Sequence, residues 1–290
     1  MLKPIEFKNL LKGRAKYESV HEQMFCEDVI NSILPYSESN NAALKISGSE
    51  ENLDKAFKIF EILTNERMSQ HQGSLDNLIK KLTRQLIWYG KCFFEITSES
   101  DTPLNRLNIE WYFKLIDIFI FKNQVTNTQT HPLIRYLKSN KVWVLSMPVG
   151  FRRTKLLSKL SKCDLLMPRF FEKQLSQELK TSYFNLEEYT QNQKIYFLKH
   201  TKLWGWLGRD YTERYINNFY SIYRHIKFKK TLAILRSHII ESVNKLLKQL
   251  QCNATITTKT IKTPDELNTI LEQLISGEID LKDAYIKDSE

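Results

Sequence analysis

Between Gly208 and Pro264 the chain contains neither glycine nor proline. Such a stretch carries none of the residues that most readily end a helix. Its apolar residues then set the period: Tyr215, Phe219, Ile222, Ile226, Ile234, Ile239, Val243, Leu246 and Leu250 keep helical spacing. The pattern predicts one long helix near residues 210–250, on the order of 60 Å if unbroken, or two helices joined near Lys229 or Lys230. Breakers are scarce elsewhere too, with eight glycines and seven prolines in 290 residues. That argues against a sandwich or barrel, which needs many tight turns.

Upstream, shorter elements alternate. Val20, Met24, Ile30, Ile33 and Leu34 lie close to one face, predicting a helix over Glu18–Leu34 that Pro35 stops. Leu53, Phe57, Phe60 and Leu63 predict another over Glu50–Asn65. The clearest unit follows: Leu75, Leu78, Ile79, Leu82, Leu86 and Ile87 repeat at helical spacing, and Gly90 stands where a helix C′ glycine would. Cys92, Phe93, Phe94 and Ile96 then form a β-rich run. Further strands are expected at Asn41–Ser47, Leu115–Phe121, Val142–Met147, Lys194–Lys199 and Thr255–Ile261, and short helices at Lys155–Lys162, Phe170–Lys180 and Asp265–Ile275. The expected class is α+β, predominantly helical with a small mixed sheet. Three regions are read: an α+β body over 1–150, a basic and mainly helical region over 151–262, and an acidic C-terminal tail over 263–290.

Charge supports that division. From Gly150 to Lys262 there are 22 Lys/Arg against 8 Asp/Glu; from Thr263 to Glu290 there are 2 against 8. A basic middle beside an acidic end points to a polyanionic partner, or to complementary packing between copies. Four of the cations, Arg224, Lys227, Lys229 and Lys230, fall within seven residues among Tyr215, Phe219, Tyr220 and Tyr223. They are the candidate nucleic-acid contacts, expected to touch phosphates only and so to be blind to sequence. The bland alternative is an amphipathic helix with its aromatics in the core and its cations in water.

No catalytic or metal motif is visible. Cys26, Cys92, Cys163 and Cys252 have neither zinc nor redox spacing, and Cys26 and Cys92 sit among apolar residues as core would. His21, His71, His131, His200, His225 and His238 are scattered without a paired ligand. Gly205 and Gly208 mark a turn and lack the context of a dinucleotide loop. Glu110, Asp117, Asp164 and Glu172 do not form the close acidic arrangement of a nuclease. The expectation is a protein without enzymatic activity, metal or cofactor. No run of 18 apolar residues and no apolar leader follows Met1, so no membrane partner is expected and the chain reads as cytosolic.

The stretch Leu75–Ile96 (LDNLIKKLTRQLIWYGKCFFEI) resembles the helix-glycine-strand passage of bacteriophage portal proteins, with Gly90, Phe94, Glu95 and Ile96 in the family's places. Leu104–Phe121 and Val142–Met147 match the short sheet that follows. Lys194–His200, Trp204–Gly208 and Asp210–Lys230 match the histidine-bearing strand, glycine turn and long helix. The chain departs from the family in being shorter, and in having Arg209-Asp210 after the second glycine. The resemblance covers about Leu75–Leu250. It implies a wing-like body over 1–150 and a ring of identical subunits, usually twelve, through which phage DNA passes in packaging and ejection. It also implies capsid and packaging-motor partners, and a location in the host cytoplasm or the virion. A non-catalytic, sequence-independent nucleic-acid-binding protein of phage or plasmid origin is the other reading of the same residues.

Overall fold

The computed structural model describes residues 5–6, 19–34, 44–67, 73–97, 103–107, 109–123, 134–151, 153–161, 186–208, 218–258 and 261–284. The predicted helix at Phe170–Lys180 lies outside them, as do Cys163, His71, His131, Asp164 and Glu172. In chain order the elements are β1 (Ile5–Glu6), α1 (Val20–Ser32), β2 (Leu44–Ser47), α2 (Glu50–Thr64), α3 (Gly73–Tyr89) and β3 (Lys91–Ile96). Next come β4 (Leu104–Arg106), β5 (Ile109–Lys114), β6 (Ile118–Asn123), β7 (Ile134–Lys138) and β8 (Val142–Ser146). The rest are α4 (153–161), α5 (Leu186–Thr201), α6 (Asn218–Gln249), β9 (Thr255–Thr258) and α7 (Pro264–Ser276).

These form two compact units, each assembled from separated stretches. One takes its described residues from Met1–Glu18, Leu34–Met147 and Ser237–Thr260, the other from Ser19–Ile33, Pro148–Arg236 and Ile261–Glu290. The regions read from the sequence run consecutively, whereas each compact unit draws on more than one of them. Chain order and packing differ because α1 and α7 belong to the same unit as α4, α5 and the first part of α6.

In the first unit, α3 buries Leu75, Leu78, Ile79, Leu82, Leu86 and Ile87, the residues at helical spacing in the sequence. The Gly90 N–H donates to Leu86 O at 2.8 Å, and its φ of 78° turns the chain directly into β3. Strand β3 is the middle of an antiparallel sheet ordered β4-β3-β8. A second antiparallel sheet runs β1-β5-β6-β7. Phe93 of β3 meets Tyr112, Phe119 and Phe121 from β5 and β6, building an aromatic core cluster. The single strand expected at Leu115–Phe121 is instead the turn and the first four residues of β6: Leu115 and Ile116 are exposed, the latter 91%. Among the described residues every strand pairing is antiparallel, so the expected mixed sheet is corrected to three small antiparallel ones. The third pairs β2 with β9, bringing Ile46 opposite Ile256 from the far end of the chain. Asn244 on α6 fixes β9 by donating to Ile256 O and accepting from Ile256 N–H, both at 2.9 Å.

In the second unit Phe25 of α1 packs edge-on against Trp204 and Trp206, with ring centroids 5.0 and 5.2 Å away. Trp206 Nε1 donates to Asp28 Oδ2 at 2.9 Å, returning the same helix to the same turn. Within the acidic C-terminal stretch, Pro264–Ser276 form helix α7. Thr263 and Glu266 form a reciprocal capping box at the start of α7, and Gly277 closes it at φ 80°. Leu267, Ile270, Leu271 and Leu274 bury one face of α7 with Ile226 and Ala233 of α6.

Helix α6 runs unbroken through Lys229 and Lys230 for 32 residues, about 48 Å at 1.5 Å per residue. Thr231 Oγ1 donates to Lys227 O at 2.9 Å across the position where the two-helix alternative placed a break. The boundary between the two units falls within this helix, between Arg236 and Ser237.

Candidate functional site

The aromatic glycine turn and the cation cluster of the sequence meet in one place. Helix α5 ends at Thr201, whose carbonyl accepts from both Trp204 N–H and Gly205 N–H at 3.1 Å. The residues Lys194–Lys199, expected as a strand, form the last turns of α5, so this strand is corrected to helix. Their four consecutive apolar residues misled the period: Phe197 is buried, while Ile195 is 56% exposed. Gly205 and Gly208 both have positive φ, 80° and 82°. At Gly205 space is as demanding as conformation, since a Cβ there would stand 2.4 Å from Phe228 N and 2.7 Å from Arg224 O. Only glycine lets the turn lie on the backbone of α6 this closely.

That close approach encloses Arg224, whose side chain is fully buried. Its Nε donates to Gly205 O at 3.2 Å, and Nη1 to Leu198 O at 3.1 Å and Tyr220 Oη at 3.0 Å. Its Nη2 donates to Thr201 Oγ1 at 2.7 Å and Trp206 O at 2.6 Å. A guanidinium has five N–H groups, and these contacts occupy five acceptors. Arg224 is therefore corrected from a phosphate contact to the clasp of the α5–turn–α6 corner. Its charge is met by carbonyl and hydroxyl dipoles, with no carboxylate among the partners. Lysine, a point charge on a flexible stem, lacks the planar fork this corner uses.

The other three cations do not share a face. At 100° per residue Lys227 and Lys230 are separated by roughly 60°, whereas Lys229 is roughly 100° or more from either. Lys227 Nζ donates to Tyr223 Oη at 3.5 Å and sits 5.6 Å above that ring. Lys230 Nζ donates to Asn268 Oδ1 on α7. Lys229 is half-buried. Tyr215, expected in the core of this helix, lies outside the described residues.

A second buried arginine was not singled out in the sequence. Arg236 is 5% exposed and donates to Ile33 O at 3.0 Å and Lys262 O at 3.4 Å. Burial pushes its guanidinium down to about 10. Two interior arginines on one helix, each bonded to main-chain carbonyls, are invisible to a charge count, because the acceptors carry no charge and come from distant segments.

Cys26, Cys92 and Cys252 are buried free thiols, and burial pushes Cys92 up to about 12, far from a reactive thiolate. Burial, with Lys159, Lys199 and Lys155 nearby, lowers the pKa of His200. His238 Nε2 is 2.7 Å from Ser146 O. Asp117 is exposed in the β5–β6 turn. Among the described residues no group of three or more His, Cys, Asp or Glu is placed to hold a metal ion, and no helix is long and apolar enough to cross a membrane.

Compared with known proteins, the chain matches no family model and no curated protein.

Proposed function

We propose that this chain is the subunit of a portal-like ring through which phage DNA passes during packaging and ejection. The observation that carries the reading is the passage from α3 through Gly90 into β3. An apolar helix ends on a glycine at φ 78°, and the next residue begins the central strand of a three-stranded sheet. The same order of helix, glycine and strand carries the resemblance in the sequence. Strands β4 and β8 flank β3, so part of the sequence matched to the family's short sheet pairs with it. The Trp204–Gly208 turn precedes α6, a long helix without glycine or proline, as a stiff element of a ring body would.

The reading does not depend on a tight grip on DNA. A channel that bound phosphate strongly would stall the strand it conducts. With Arg224 withdrawn into the corner, Lys227, Lys229 and Lys230 are left as phosphate contacts, too few and too dispersed for a strong site. This also weakens the alternative of a monomeric or dimeric nucleic-acid-binding module, which relied on the four cations acting together. Ring closure calls for a heterologous interface, one patch on each copy meeting a different patch on the next. Capsid and packaging-motor proteins are the partners the reading adds.

Negative-stain imaging of the purified full chain tests it. Closed rings of uniform diameter are expected, and a population of separate subunits at micromolar concentration would overturn the proposal.

A further inference from the structure

The second unit contains a cavity of about 480 Å³ beside the Arg224 corner, within the range of small-molecule sites. Its walls are mainly apolar: Phe151 and Trp204, stacked edge-on at 4.9 Å, with Ile234 and Leu271. At its mouth Val149, Leu203 and Ile275 are left in water, the first fully exposed and the others 52% and 62%.

Lys227, Lys230 and Glu272 are the charged residues lining this space. Lys227 and Lys230, the pair that shares a face of α6, both line it. Each ammonium is half-buried and bonded to a neutral oxygen, Lys227 to the Tyr223 hydroxyl and Lys230 to the Asn268 amide. Among the described residues neither pairs with a carboxylate. Glu272 also borders the cavity, but Asn268 Nδ2 donates to its Oε1 at 2.6 Å and stands between it and Lys230. Two ammoniums without a carboxylate partner among the described residues, against an apolar wall, define what would complete them.

We infer that this cavity binds a small organic anion with an apolar body, a carboxylate carried on an aliphatic or aromatic frame. The carboxylate lies between Lys227 and Lys230, where charge-assisted hydrogen bonds in a half-buried setting are strong. The body covers Phe151, Trp204 and Leu271 and takes Ile275 and Leu203 out of water. Both parts are needed. A bare anion leaves the apolar wall wet, and a neutral apolar molecule leaves the two ammoniums without a counter-charge. This site stands independently of ring formation, because all its residues belong to one unit of one chain.

Titration calorimetry of the full chain with decanoate, decanol and acetate separates the contributions. Saturable binding of decanoate is expected, at least about 10-fold tighter than either decanol or acetate. The double variant Lys227→Gln/Lys230→Gln is expected to lower decanoate affinity by about 10-fold or more, with decanol unchanged. Ile275→Glu, at a rim position 62% exposed, is expected to lower decanoate affinity as well, by placing a negative charge at the mouth. Decanol bound as tightly as decanoate, acetate bound as tightly as decanoate, or an Ile275→Glu variant with unaltered decanoate affinity would each overturn the assignment. So would the absence of saturable decanoate binding up to millimolar concentration.

Discussion

The two glycine turns of this protein, Gly90 in the first unit and Gly205 in the second, look alike in the sequence and hold their surroundings by different physics. Each has a positive φ near 80° and each ends a helix or follows one closely. Around Gly90 the neighbours are apolar: α3 delivers a stripe of leucines and isoleucines, and β3 answers with Cys92, Phe93 and Phe94, all buried. Around Gly205 the neighbours are backbone dipoles converging on one buried guanidinium. Apolar packing is forgiving, because a lost contact is partly recovered by relaxation. A buried cation held by carbonyls is unforgiving, because removing it leaves every acceptor without a donor.

The largest expected effect therefore lies at Arg224. Arg224→Met keeps much of the volume but strands the carbonyls of Leu198, Gly205 and Trp206, and is expected to destabilise by about 3 kcal/mol or more. Chemical denaturation followed by tryptophan fluorescence reads this directly, since Trp204 and Trp206 adjoin the site. Arg224→Lys sharpens the contrast: if it is nearly as damaging, the fork geometry matters and the charge alone does not. Near-normal stability of Arg224→Lys would mean that the dispersed bonds described here contribute little.

Next comes Gly205→Ala, expected to cost about 2 kcal/mol or more from the strained φ and the contact with the α6 backbone together. Gly90→Val is expected to cost about 1 kcal/mol or more, because a β-branched residue fits the left-handed conformation poorly. Should the order of these two variants reverse in urea titrations, the distinction between the two turns would be broken. The smallest effect is electrostatic. Weak, sequence-independent DNA binding is expected, with a log–log salt slope that Lys229→Gln/Lys230→Gln flattens by at most about 1 to 2 units between about 50 and 200 mM salt. Fluorescence anisotropy with two unrelated duplexes measures both properties. A slope that does not change makes those lysines an ordinary solvated face.

What the sequence revealed follows the same contrast. Helix α3 and its passage into β3 were legible because apolar spacing and a single glycine carry the information within one short stretch. Helix α6 was legible for the same reason, and its continuity through Lys229 and Lys230 follows from the absence of any breaker. The Lys194–Lys199 stretch misled because Ile195, Tyr196, Phe197 and Leu198 are contiguous, and a short apolar run does not distinguish a strand from a helix end. The cation cluster misled for a geometric reason: neighbours in sequence are rotated apart on a helix, and four of the five acceptors that hold Arg224 lie 18 to 26 residues upstream. Nothing in local composition marks Leu198 O or Trp206 O as a cation's partner. The cavity beside them was equally hidden, since Val149, Trp204, Lys230 and Leu271 come from four separate stretches.

The proposed ring function is tested most directly by the mass of the native particle. Native mass spectrometry of the full chain is expected to give one dominant species at a fixed, large multiple of the 34.4 kDa subunit, with the resemblance to portal proteins implying twelve. That species should keep its stoichiometry on dilution, as a closed ring does. A spectrum dominated by the 34.4 kDa chain, or a ladder of species that lengthens with concentration, would contradict ring formation.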